Sequence, residues 1–525
     1  MVASCWLLFF RLGHYPLWCD EADTALYARG VVRSGDTSAM LDHNLYAIRN
    51  GTSLVELRGR YQPPAPFYLA APFVGREGTG SFWPRAPFAI CGVISVGLML
   101  FWMRRDGASA LLWVVLSAGI VCNVSLMLYF RQCRYYALAT LLSLVAAYCY
   151  LHWDGRRRML ALFSVVAVLL LLTHYLAYAG LFVAVAVDYW LFQRTRRALS
   201  WREWALILVP QIVLGAIVVS IWNPVDKGVN PVANGGNGMS DRLKLVGWSL
   251  REINACEFGV GLLMLFSPAV YFIEKNRWLL RAWLAVLSYT LIVSILSPQP
   301  VALTRIADIR YLSALIPVCI FLTGLSIVVA SRHRWSVALP LAAVAFGTTV
   351  FHYPLDWRSW RSTTYEWLTE LASARPMSTQ MAIDWANRYV RPGESIWVSP
   401  DHMAYPLMYH APHALYAWQL GPPRRKQFEA LPPIHFVGAT PPDYILSFAR
   451  RAPVENVIAA YAKMGVSYTP AAALDVHWDD AIRPELPWRA FRPVVGYDRA
   501  LEGVYFWRRA EVVGRRQRGT DSAGR

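Results

Sequence analysis

Two adjacent carboxylates, Asp20 and Glu21, follow the first apolar segment, in the stretch WCDEADTALYARGVVR from Trp18 to Arg33. A carboxylate at a membrane boundary must be solvated, paired or functional, because burying it alone costs several kcal/mol. A carboxylate so placed can take the proton of an acceptor hydroxyl as a general base in sugar transfer. The bland alternative is an acidic pair that favours a helix N-terminus. Asp23, Thr24 and Tyr27 follow at helical spacing, so Asp20, Asp23 and Tyr27 can share one face.

Two arginine-aromatic turns offer the complementary charge. In YFRQCRYYAL, Arg131 and Arg134 lie three residues apart, with Tyr135 and Tyr136 alongside. The planar guanidinium fork binds phosphate bidentately; the alternative is an arginine snorkelling to the interface. In TRIADIRY, Arg310 can stabilise a leaving phosphate or simply pair with Asp308 at the surface. His174, in Thr173-His174-Tyr175, has no second histidine at metal spacing, so no metal site is expected. No cofactor is fixed by the sequence, and a divalent cation stays open. No P-loop, G-x-G-x-x-G or G-x-S-x-G motif stands in a strand–helix context. A nucleotide-sugar domain is therefore not evident, and a sugar donor would arrive on a lipid.

The elements that must position these residues are membrane helices. The 525 residues are 56% hydrophobic and 16% charged, whereas soluble domains carry about 25% charged residues. The net charge of +17 resides largely in short loops between apolar runs, as topology signals and phosphate-leaflet contacts would, which argues against nucleic acid as a partner. Eight cysteines are scattered without zinc spacing. Cys19, Cys133 and Cys256 fall near predicted outer loops, where a disulfide or free thiols are both open.

Eleven spans are read: 1–10, 88–103, 108–128, 137–153, two within 159–192 turning near His174, 204–222, 258–273, 278–296, 312–330 and 335–351. Basic clusters at Arg104/Arg105, Arg156–Arg158, Arg194–Arg202, Lys275/Arg277 and Arg332/Arg334 occupy every second connection, which places those loops in the cytoplasm. The long loop 18–87, the YFRQCRYY turn, the His174 turn, the polar loop 223–257 and the Arg310 loop then lie outside. Within loop 18–87, residues 20–34 read as an amphipathic interfacial helix and PFYLAAPF as a second, short one. From Tyr353, strand-like SIWVSP, PDYILSF and EGVYFWRR alternate with helix-like VENVIAAYAKMG, which predicts a small α/β domain. The expected organisation is thus an α-helical polytopic domain over 1–352, a soluble α/β domain over 353–510 and a basic, disordered tail over 511–525.

Several of these stretches resemble, in order and spacing, the GT-C superfamily of membrane glycosyltransferases. The nearest likeness is to glycosyltransferase family 39, with its protein O-mannosyltransferases, and to the lipid A aminoarabinose transferases. The matching pieces are Asp20-Glu21 after the first span, Gln62-Pro63-Pro64 with Phe67-Tyr68, Arg85 before the second span, Cys133-Arg134-Tyr135-Tyr136-Ala137-Leu138, Thr173-His174-Tyr175, and Arg310-Tyr311 before the tenth span. The likeness covers roughly residues 1–350. Gln62 stands where relatives often carry a basic residue or histidine, Gln132 stands where an acid is common, and Ala65-Pro66 interrupts the box after the two prolines.

The resemblance implies a GT-C-like fold and an inverting sugar transfer from a polyprenyl-phosphate donor to a protein, lipid or polysaccharide acceptor. In that reading Asp20 is the catalytic base and Glu21 its acidic neighbour. Arg131, Arg134, Tyr136, Arg310, Tyr311, Gln62 and His174 would hold the donor phosphate and lipid-linked sugar. The protein would be a multi-pass protein of the cell (inner) membrane, surrounded by membrane lipid. Its active site and C-terminal domain would be extracytoplasmic, or periplasmic in a Gram-negative cell. The alternative is a non-enzymatic polytopic transporter of lipid-linked glycan or polysaccharide, which predicts ionisable residues along a path inside the spans.

Overall fold

The computed structural model describes residues 1–47, 51, 54–75, 78–222, 239–255, 261–297, 307–373, 377–419, 426–448, 454–476 and 502–510. The chain opens with helix α1 (Val2–Phe9) and α2 (Cys19–Ser34). Two small hairpins follow, β1–β2 (Met40–Leu41, Asn44–Leu45) and β3–β4 (Leu54–Val55, Arg58–Gly59), then α3 (Ala65–Ala70), whose start follows the Pro63-Pro64 pair as the prolines predict.

The apolar runs form α4 (Phe82–Arg105), α5 (Ala110–Cys122), α6 (Val124–Phe130), α7 (Tyr136–Leu151), α8 (Arg157–Leu171), α9 (Tyr175–Asp188), α10 (Trp201–Ile221), α11 (Met239–Ala255), α12 (Gly261–Glu274), α13 (Arg277–Leu296), α14 (Ile316–Ala330) and α15 (Trp335–Gly347). Each predicted span falls on a helix. Length and composition, however, support five crossings among the described residues: Phe82–Arg105, Tyr175–Gln193, Trp201–Ile221, Arg277–Leu296 and Arg310–Ala330. The α5–α6 pair, bent by 59°, would make a sixth. Its bend falls at Asn123, whose side chain leaves the helix ladder to accept from the Leu126 amide at 2.8 Å. The remaining predicted spans, α1, α7, α8, α12 and α15, have 8, 16, 15, 14 and 13 residues, short of the roughly 20 a bilayer needs.

Two other expectations change. The polar loop 223–257 contains α11, which places Arg242, Leu245, Ser249 and Ile253 on a buried stripe at helical spacing. Arg242 donates to the Ser297 carbonyl at the end of α13 at 2.7 Å. Helix α2 forms as predicted but does not lie at an interface: residues 21 through 31 are all buried, because α3 covers one side and the C-terminal domain the other. The VANGGNGMS run up to Gly238, Cys256 and the tail 511–525 lie outside the described residues. Among the described residues no cysteine is in a disulfide.

The C-terminal domain holds α16 (Thr363–Ala372), α17 (Ser378–Tyr389), β5 (Ser395–Ser399), α18 (Ala404–His410), β6 (Leu415–Ala417), β7 (Tyr444–Phe448), α19 (Glu455–Lys463), β8 (Tyr468–Val476) and β9 (Glu502–Arg509). Its sheet runs β6-β5-β7-β9-β8, parallel across β6, β5 and β7 and antiparallel across the rest. Strand β8 was not read from the sequence. Its three alanines and Pro470 carry little strand preference, and it survives as an edge strand with an irregularity between Pro470 and Ala472. Close approaches tie the membrane helices together. A Cβ on Gly180 of α9 would meet the Tyr289 ring of α13 at 2.6 Å, so only glycine admits this contact.

Candidate active site

Asp20 and Glu21 are neighbours in sequence with opposite surroundings. Glu21 is fully buried, and its carboxylate accepts four hydrogen bonds. Arg85 Nε and the Cys133 amide donate to Oε1 at 2.8 and 2.7 Å, and Arg85 Nη2 and the Trp18 amide to Oε2 at 2.6 and 3.3 Å. Arg85 spends its other donors on the Leu12, Tyr15 and Pro16 carbonyls. Glu21 thus joins the start of α2, the turn after α6 and the start of α4. The sequence reading makes it the acidic neighbour that positions the base; in the structure no face of it is open to a substrate.

Asp20, one residue earlier on α2, keeps 28% of its side chain exposed. Arg310 Nη1 donates to its Oδ2 at 2.8 Å, and Arg134 Nη2 lies 3.9 Å away. Asp23, one turn further on, is buried and accepts from the Tyr46 hydroxyl at 2.5 Å, Gln62 Nε2 at 2.7 Å, Arg134 Nη1 at 2.8 Å and the Tyr61 hydroxyl at 3.3 Å. Arg134 Nη1 also reaches the Asp20 carbonyl, the Thr24 hydroxyl and Gln62 Oε1. Burial alone would push the Arg134 guanidinium down, but the Asp20 and Asp23 carboxylates more than offset this and hold it well above its ordinary range. Gln62 therefore serves as a neutral bridge between Asp23 and Arg134, where a cation would compete with Arg134 for the same carboxylate.

Arg134 and Arg310 are held apart by a column of rings. His174 stacks on Tyr135 at 3.9 Å and 13°, and on Tyr311 at 5.4 Å and 25°. Arg134 lies 5.7 Å over Tyr135 and Arg310 lies 5.3 Å over Tyr311. His174 caps α9: its Nδ1 accepts from the Ala177 amide at 3.1 Å, which puts the ring proton on Nε2. Burial, helped by the two nearby arginines, lowers its pKa to about 3. It is a neutral spacer and donor. Tyr136 is buried, its ring against Tyr129 and Tyr135 at 4.6 and 4.5 Å.

Arg131 does not join this cluster. Its guanidinium donates to the Leu7 carbonyl and, at 2.9 Å, to the Phe10 carbonyl at the end of α1. Turn geometry separates it from Arg134: the two lie three residues apart, but the chain between them is not helical, so they point to different partners. Sequence reasoning also passed over Tyr46 and Tyr61, which come from the hairpin loop and carry no spacing signal. Asp23 was on the predicted face, and its four donors make it the hub of the cluster. Among the described residues no group of three metal-binding side chains occurs.

The C-terminal domain closes over α2. The Leu17 amide donates to His410 Nε2 at 3.0 Å, and Trp418 Nε1 donates to the Leu45 carbonyl at 2.8 Å. Asn44 bonds the Ala414 carbonyl and the Tyr416 amide. Arg29 of α2 lies 3.9 Å over the Tyr409 ring.

Beneath the ring column runs an apolar cavity of about 390 Å³ between α4, α5, α7, α9, α13 and α14. Its near end is closed by Tyr289, Ala314 and Leu315, and the Tyr289 hydroxyl reaches the Tyr311 carbonyl at 3.4 Å. Its far end reaches Trp102, Asp106, Tyr150, Asp188, Trp278 and Arg281. Along α13, from Trp278 to Tyr289, this spans about 17 Å, at 1.5 Å per helical residue.

No family model matches the chain, and no curated protein matches it. Solved structures do. The apo structure of ArnT from Cupriavidus metallidurans is similar at a TM-score of 0.58 and 13% identity, over 96% of each chain. The structure of the same protein bound to undecaprenyl phosphate gives 0.55 at 13% identity, over 96% of this chain and 97% of that one. At this identity the likeness shows the architecture alone: the chain has the fold of ArnT.

Proposed function

We propose that the protein transfers a sugar from a polyprenyl-phosphate donor to an acceptor hydroxyl or amine, with Asp20 as general base. The observation that carries this reading is the contrast within one cluster. Of the three α2 carboxylates, Glu21 and Asp23 are buried and saturated, while Asp20 alone is part-exposed, between two arginines and above an apolar cavity. The structure of a protein of this fold with undecaprenyl phosphate bound supports a lipid-linked donor.

The chemistry follows from these positions. The acceptor O–H or N–H gives its proton to Asp20 as its lone pair attacks the anomeric carbon. The bond from that carbon to the phosphate oxygen breaks, and the electron pair leaves on polyprenyl phosphate. Attack from the side opposite the phosphate inverts the anomeric centre. Arg310 and Arg134 offset the charge that develops on the departing phosphate. The ring column fixes their separation before the donor arrives, so little reorganisation accompanies the reaction. Glu21, Asp23 and Gln62 position the reacting groups and do not touch the substrate.

The basic clusters lie at the helix ends remote from Asp20, which by the positive-inside bias supports an extracytoplasmic Asp20 and C-terminal domain. The transporter reading is less well supported. The ionisable residues of the described apolar helices gather toward their ends and do not mark a path. Purified protein in liposomes, offered a panel of radiolabelled polyprenyl-phosphate sugars, should release or transfer one of them with inversion. Passage of lipid-linked sugar across the bilayer with no bond broken would favour the transporter instead.

A further inference from the structure

At the face opposite Asp20, α9 does not end as an α-helix. Residues Tyr189–Gln193 form a π-turn, closed by the Arg194 amide donating to the Tyr189 carbonyl at 2.8 Å. Such wide turns are uncommon and frequently mark functional positions. This one opens a second cavity of about 400 Å³ against α12 and α13, lined by Phe192, Thr195, Arg196, Arg277, Trp278 and Arg281 among others.

Three features of this cavity point to an anion. No carboxylate lines it, while three arginines do. Arg281 is anchored by Asp188, donating through Nε at 2.7 Å and Nη2 at 2.6 Å, so its guanidinium is held in place at the cavity wall. Arg196 and Arg277 are exposed and their side chains make no hydrogen bond or ion pair among the described residues.

Two further features point to a lipid. The cavity lies at the level where Trp190, Trp201 and Trp278 are 54%, 74% and 43% exposed, the level at which indole rings settle at a membrane interface. Trp278 and Arg281 also line the far end of the apolar cavity. A molecule with its charged group at Arg196, Arg277 and Arg281 would therefore find an apolar channel beginning at the same two side chains.

We propose that this cavity is a binding site for an anionic glycerophospholipid of the leaflet on the basic face, its phosphate on Arg196, Arg277 and Arg281 and an acyl chain entering the apolar cavity. The site is separate from Asp20 and does not depend on the sugar-transfer reading, because its test reads lipid retention and not turnover.

The test is native mass spectrometry of the detergent-solubilised full chain, offered equal amounts of phosphatidylglycerol and phosphatidylcholine. One phosphatidylglycerol should be retained at least fivefold over phosphatidylcholine. Arg196→Gln/Arg277→Gln should remove that preference, and Arg196→Lys/Arg277→Lys should keep most of it, which separates charge from folding. Arg332→Gln/Arg334→Gln, which removes two charges from the same face outside the cavity, should leave retention unchanged. Glycerol 3-phosphate at the same concentration should fail to displace the lipid; displacement would make this a site for a free phosphate and overturn the proposal. Equal retention of the two lipids, full retention in the glutamine variant, or an equal loss in the Arg332/Arg334 control would each overturn it as well.

Discussion

Replacing Glu21 with glutamine should damage stability, because the residue is a strut. Its carboxylate accepts four bonds, two on each oxygen, and each oxygen faces one nitrogen of Arg85. A glutamine has one acceptor oxygen. In either orientation its NH2 group must face two donors: Arg85 Nε with the Cys133 amide, or Arg85 Nη2 with the Trp18 amide. One charge-assisted bond and one amide bond are lost, and Arg85 is left buried without its counter-charge. Bonds to charged groups contribute about 1.5–3 kcal/mol each, and breaking a buried pair from one side costs about 3–5 kcal/mol. We expect a loss in that range, read as a clear fall in apparent melting temperature of the detergent-purified protein. Arg85→Met combined with Glu21→Gln should recover part of it, since the second change removes the uncompensated charge. Glu21→Gln with an unchanged melting temperature and abolished sugar transfer would refute this reasoning and make Glu21 a participant in the chemistry.

Other outcomes follow from the same geometry. Arg131→Gln should lower stability by about 1–3 kcal/mol through loss of its bonds to the α1 carbonyls, and leave the KM for a lipid-phosphate donor unchanged. Arg310→Ala should raise that KM roughly 10–100-fold, the worth of one charge-assisted bond, with the melting temperature little altered. Burial holds His410 at a pKa of about 3 against an ordinary 6.5, and its Nε2 must stay unprotonated to accept from Leu17. Between those values the unfolded chain binds a proton that the fold does not, so this part of the stability is complete above pH 6.5 and is lost on acidification. It should amount to about 2 kcal/mol by pH 5. Melting temperatures from pH 7.5 to 5 should show a flatter acid limb for His410→Gln.

The helices and the order of the site pieces were legible in the sequence because apolar runs and basic loops alternate with few exceptions. The number of crossings was not. Asn123 breaks one run and several others are shorter than a bilayer, features that hydropathy alone smooths over. The site was legible where a residue type implies its own chemistry: Asp20, Arg134, Arg310 and His174 come together as expected. Elsewhere partners decide the role. Glu21 and Arg131 carry the same charges as Asp20 and Arg134, but one meets Arg85 and the other meets the carbonyl end of α1. No spacing rule encodes those long-range meetings. The amphipathic reading of α2 failed for the same reason, since the elements that bury its second face lie more than thirty residues away in sequence.

The central claim is that Asp20 is the base, and one variant addresses it directly. Asp20→Asn keeps the shape and an acceptor for Arg310 but cannot take a proton. With a labelled polyprenyl-phosphate sugar that the wild-type protein turns over, the account predicts a loss of transfer of at least about 100-fold, with the melting temperature unchanged. Transfer by Asp20→Asn at the wild-type rate would contradict it.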